Sequence, residues 1–153
     1  MNFDKVLIVL SNDSAFNKEM LDSMYNFFKI NKSNLNWCHF IDVPLKFPID
    51  TEDKYFQKLF EKSEQIRKEF YDKMNFYKIP VSRLSGNVYK VRNMTSGLVE
   101  LGKNYNPDLL IIPQILMNLK LHNSKFKNNP YVNLKKISSS ISASIMIWHR
   151  GDL

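Results

Sequence analysis

Glycine is the scarcest useful residue in this chain: there are four, and none between Gly102 and Gly151. Loops that close backbone N–H groups onto phosphates usually need glycine, which tolerates strained backbone and leaves room for the ligand. Cysteine is scarcer still. The lone Cys38 excludes an intrachain disulfide and a cysteine-rich metal site. It lies in an apolar stretch and reads as a buried structural thiol. No apolar run reaches the roughly 18 residues of a membrane span. The N-terminus runs straight into a strand-like segment, with no basic, apolar and small-residue leader pattern. The expectation is a cytoplasmic protein with no membrane partner.

Arginine is also rare. The net charge is +7, but it comes almost entirely from lysines scattered among acids, as in Asp53-Lys54 and Lys68-Glu69. A nucleic-acid surface concentrates charge on one face and favours arginine for bidentate phosphate contacts. The lysines between Lys120 and Lys136 come nearest to a cluster and read as a solvated loop. No nucleic-acid partner is expected. His39, His122 and His149 share no metal-ligand spacing with each other or with acids, so no metal site and no catalytic triad are proposed.

What is present is alternation. Val6–Leu10 and, within the strand Asp108–Ile112, Leu109–Ile112 are short, continuous apolar runs, which is how strands buried on both faces read. Leu35–Val43 is a strand closed by Pro44 and Pro48, and Ile145–Trp148 is the last. Val81–Arg92 is extended, with Gly86 marking either a bulge or a hairpin tip. Between them lie helical patterns. Phe16, Met20, Met24, Phe27 and Phe28 recur at spacings of three and four. A long helix follows Asp50 or Thr51 as cap, with Tyr55, Phe56, Leu59, Phe60, Ile66, Phe70 and Met74 on one face, and Pro80 as its stop. Thr95–Asn104 is a short helix. Asn129 followed by Pro130 opens another, after a long loop.

The 153 residues therefore read as one domain over 1–153, a β-α-β-α-β-α-β-α-β chain. The fold class is α/β: a three-layer sandwich around a five-stranded, mainly parallel sheet, with Val6–Leu10 and Leu109–Ile112 central and adjacent. Ligands of such sheets bind beyond the carboxyl ends of the strands. Here that rim comprises Ser11–Ser14, Asp42–Leu45 and Pro113–Met117. The candidate binding residues are Ser11, Asn12, Asp13, Val43, Pro113 and Asn129. Asp13 reads first as a helix cap and second as a ligand for a ribose or metal. The helix opened by Asn129, with Lys125 or Lys127 beside it, is a candidate anion holder. A phosphorelay receiver would need clustered acids after the first strand, and only Asp13 is there.

Several pieces, in this order and spacing, resemble the universal stress protein family over essentially the whole chain. They are Lys5–Ser14, His39-Phe40-Ile41-Asp42-Val43, Leu98–Gly102 leading to Asn106-Pro107-Asp108-Leu109-Leu110-Ile111-Ile112, and Ser142–Trp148. The resemblance implies a Rossmann-like, adenine-nucleotide-hydrolase-like fold and a homodimer built through the last strand, Ile145, Met146, Ile147 and Trp148; that strand is itself an apolar edge with no proline or lysine gatekeeper, and Trp148, its large aromatic, is the expected anchor. It also implies a stress-response or regulatory binding protein, not an enzyme, whose protein partner is unknown. ATP-binding members carry Gly-x2-Gly-x9-Gly-(Ser/Thr) after the fourth strand. This chain has Pro113-Gln114-Ile115-Leu116 there, and none of the three glycines. The resemblance is thus to the class without that motif, with no cofactor expected. The alternative is an adenine-nucleotide (ATP or AMP) binder with a degenerate phosphate loop.

Overall fold

A computed structural model describes residues 2–50, 53–117 and 132–150. In chain order these form β1 (Lys5–Leu10), α1 (Ser14–Asn31), β2 (Asn34–Asp42), α2 (Gln57–Phe76), β3 (Leu84–Val91), α3 (Met94–Tyr105), β4 (Leu109–Pro113), α4 (Leu134–Ser140) and β5 (Ser144–Trp148). The strands make one sheet in the order β3-β2-β1-β4-β5, and every pair is parallel. The run Val6–Leu10 is central because it is apolar at every position. Val6 faces Leu35 on one side and Leu109 on the other.

Side chains alternate across the sheet. Val6, Ile8 and Leu10 pack with Met20, Phe28, Ile66, Phe70 and Met74 of α1 and α2. Leu7, Val9, Leu110 and Ile112 pack with Leu98 of α3 and Ile137 of α4. Two cores therefore sandwich the sheet, which is the three-layer α/β arrangement expected from the alternating elements.

Four local readings are resolved or corrected. The stretch Val81–Arg92 is neither a hairpin nor a bulged strand. Val81–Arg83 make a short turn, and β3 then pairs with β2 in unbroken register from Leu35↔Leu84 to Asp42↔Val91. The long helix starts later than its periodicity suggests, at Gln57, after a tight turn over Asp53–Phe56, and Leu59 is left exposed. It ends before Pro80. Lys78 takes a left-handed conformation (φ 60), Lys78 N–H donates to the Asn75 carbonyl and Ile79 N–H to that of Met74, and buried Ile79 and Met74 complete this Schellman ending. The last helix starts at Leu134. Asn133 is its cap, accepting from Lys136 N–H at 3.1 Å. Asn129 and Pro130, expected as its start, lie outside the described residues, as do His122, Lys120, Lys125 and Lys127.

Candidate functional site

The chain leaves the central strand β1 for β2 on one side and reaches β4 on the other, so the sheet order reverses beside β1. The carboxyl ends of the strands diverge there and open a crevice. A cleft of about 550 Å³ occupies it, lined by Ser11, Asn12, Asp13, Phe40, Asp42, Met94, Ile115 and Leu116. These come from the loop after β1, the end of β2, the first residue of α3 and the turn that follows β4.

The wall after β1 is rigid. Buried Ser11 donates its N–H to Asn17 Oδ1 at 2.9 Å, and Asn17 Nδ2 returns a bond to the Ser11 carbonyl at 2.9 Å. The Ser11 hydroxyl also donates to Asn17 Oδ1 and accepts from Asp13 N–H at 3.2 Å. Asp13 is the cap of α1, with Oδ1 accepting from Phe16 N–H at 3.0 Å. This capping explains why a Ser-Asn-Asp-Ser run stands where the strand ends.

Behind Asn12 lies His39, only 3% exposed. Its Nε2 lies 2.7 Å from Asn12 Oδ1 and its Nδ1 2.8 Å from Ser63 Oγ. With Asn12 presenting an oxygen, the ring donates from Nε2 and accepts the Ser63 hydroxyl proton at Nδ1. Burial, aided by the positive charge of Lys62, lowers the His39 pKa to about 4, so the ring is neutral. A Ser-His-Asn row has the look of a nucleophile relay, but Ser63 is 1% exposed and reaches no substrate. The row tethers the cleft wall to α2. Asp42, by contrast, is exposed at the rim, and partial burial raises its carboxyl pKa.

The turn after β4 shapes the other wall. Pro113 is buried as the last residue of the strand, and Gln114–Leu116 form a single tight turn. Ile115 and Leu116 thus present branched apolar side chains to the cleft, and Ile115 is 44% exposed.

Of the sequence candidates, Ser11, Asn12 and Asp13 come together in the cleft. Val43 is fully buried, and its N–H donates to the Val91 carbonyl at 2.8 Å. Pro113 sits behind the cleft wall, and Asn129 lies outside the described residues. Ile145, Met146, Ile147 and Trp148 form β5 at the sheet edge, away from the cleft lining. Phe40, Met94 and the Asn17 and His39–Ser63 supports were not foreseen. Phe40 was detectable in principle, since it stands two residues before Asp42 and so shares its face of the strand. Among the described residues no three His, Cys, Asp or Glu gather as a metal site, and no helix is long and apolar enough to cross a membrane.

An open parallel sheet with a crevice at its switch point defines a Rossmann-like α/β fold. No protein-family model matches the chain, and no curated protein matches it in sequence. Solved structures do match. A universal stress protein in complex with cAMP superposes with a TM-score of 0.61 at 13% identity, covering 97% of this chain and 98% of that one. A universal stress protein family member from Burkholderia pseudomallei gives 0.57 at 10% identity, covering 95% of each chain. The universal stress protein from Archaeoglobus fulgidus in complex with dAMP gives 0.54 at 7% identity, covering 96% of this chain and 98% of that one. The fold is that of universal stress proteins.

Proposed function

We propose that this chain is a non-enzymatic, homodimeric binding protein of the universal stress type, acting in a cytoplasmic stress or regulatory response, and that its cleft does not hold Mg-ATP. The observation that carries this reading is the wall after β4. Ile115 and Leu116 line the cleft there, and no glycine follows before Gly151. A phosphate cradle needs convergent N–H groups and open space. Branched side chains line that wall instead, and Pro113 contributes no N–H. The lining supports a binding role over a catalytic one. The Ser11 hydroxyl is bonded to Asn17, and the His39–Ser63 pair beside the cleft has its serine buried.

Titration calorimetry with Mg-ATP tests the reading. The expected result is no binding tighter than about 10 μM, roughly −7 kcal/mol. A tighter dissociation constant would overturn it.

A second reading has its own support. The cleft has the 300–1,000 Å³ size range typical of small-molecule sites, and two fold neighbours hold cAMP and dAMP. On that reading the cleft keeps an adenine-nucleoside site whose phosphate loop has degenerated. Adenine absorbance released from the purified protein would favour it.

A further inference from the structure

We infer that the switch-point cleft has inverted charge selection, rejecting anions and taking an uncharged or cationic ligand of nucleoside size. The inference rests on reading this cleft as the ligand site of a binding protein.

Two carboxylates line the cleft, Asp13 and Asp42, and among the described residues no lysine, arginine or histidine lines it. Anions at such rims are held by helix N-termini, where free N–H groups and the helix dipole converge. Here one N–H of each of two such termini is already taken by a cap. Asp13 sets its side chain at the start of α1 and takes the Phe16 N–H. Asn93 caps α3 and takes the Ser96 N–H at 3.0 Å. Among the described residues the two cations bonded at the rim point away from the lining. Arg92 Nη1 donates to the Pro44 carbonyl at 2.7 Å, and Lys62 Nζ donates to Ser14 Oγ at 3.3 Å.

The remaining walls are apolar: Phe40, Met94, Ile115 and Leu116. They suit a flat ring system. The exposed Asp42 carboxylate makes no hydrogen bond or ion pair among the described residues, so its oxygens are open to an amino group or a hydroxyl of a ligand. A phosphate brought within a few ångströms of it meets like-charge repulsion strong enough, near a protein surface, to lower affinity tenfold or more.

The test compares three ligands on one scaffold by calorimetry at pH 7: adenosine, AMP, and 5′-amino-5′-deoxyadenosine, whose amine is protonated. The expected order is amine tightest, adenosine about tenfold weaker, and AMP at least tenfold weaker again. Asp42→Asn should erase the advantage of the amine, and Ile115→Lys, at an exposed position, should bring AMP level with adenosine. AMP binding as tightly as adenosine to the unmodified protein would overturn the inference. So would absence of binding by all three at 1 mM. Neither result touches the reading of the protein as ATP-independent, which fails only if Mg-ATP itself binds below about 10 μM.

Discussion

Burial holds His39 neutral, and that has a measurable cost in acid. Its folded pKa of about 4 lies below the ordinary 6.5. Between those values the unfolded chain takes up a proton that the native chain refuses. Stability from this residue is therefore intact above pH 6.5 and falls as pH drops towards 4, by about 3 kcal/mol in all. We expect urea midpoints of the unmodified protein to decline more steeply from pH 7 to 4.5 than those of His39→Gln. Carboxylates common to both proteins cancel in the comparison, and equal slopes would remove His39 from the account. This residue also shows where sequence reading stops. A histidine in an apolar strand reads as a structural residue. Its partners, Asn12 and Ser63, lie 27 and 24 positions away and carry no shared periodicity. Asp13, in contrast, was legible as a cap, because capping depends on neighbours a few residues along the chain.

Among the elements, those with a strong local signal were legible and those set by tertiary contact were not. Val6–Leu10 and Leu109–Ile112 announced a two-sided strand because every position is apolar, and they do lie side by side. The end of α2 is legible to within a few residues because Pro80 is a visible stop, whereas the exact end, a left-handed lysine at 78 with Ile79 N–H bonded to the Met74 carbonyl, is set by tertiary packing. Gly86 was ambiguous for the same reason. It sits opposite Trp37 in an unbroken ladder, and an added Cβ would lie 2.3 Å from the Trp37 carbonyl oxygen and 2.4 Å from its ring. Gly86→Ala should therefore cost about 3 kcal/mol, since backbone must move. Gly97→Ala serves as the contrast. Its Cβ meets a methyl of half-buried Val91 at 2.6 Å, which can turn away, so about 1 kcal/mol is expected. Denaturant unfolding of the two variants ranks them, and a smaller loss for Gly86→Ala would contradict the packing around Trp37.

At the scale of the whole molecule, the sheet has two edges, β3 and β5, that no described strand pairs with, and they differ in character. β3 carries exposed Ser85, Gly86 and Asn87, a polar rim that discourages pairing. β5 carries Ile145, Met146, Ile147 and Trp148, with no proline or lysine to blunt it. Ser144 N–H donates to the Asp108 carbonyl at 3.0 Å. Along a parallel strand alternate residues bond to the same side, so Met146 and Trp148 also face β4, and Ile145 and Ile147 turn their N–H and C=O groups outward. Trp148 does not project as a free anchor. Its ring stands edge-on to Phe16 of the same chain at 5.0 Å, and Arg150, paired with Glu19 at 2.6 Å, lies 5.0 Å from that Phe16 ring. This cluster fixes the end of β5 to α1, so the edge is ordered within its own chain. Two copies related by a two-fold axis can join these edges antiparallel, each Ile145 and Ile147 supplying one donor and one acceptor. The protein should then run as a dimer in light scattering at tens of micromolar. Ile147→Pro removes one outward N–H and spares the bonds to β4, and it should yield a folded monomer. Ile147→Asp should give monomer or insoluble protein. An unmodified protein that scatters as a monomer at that concentration would refute the dimer, and an Ile147→Pro protein that stays dimeric would move the interface away from β5.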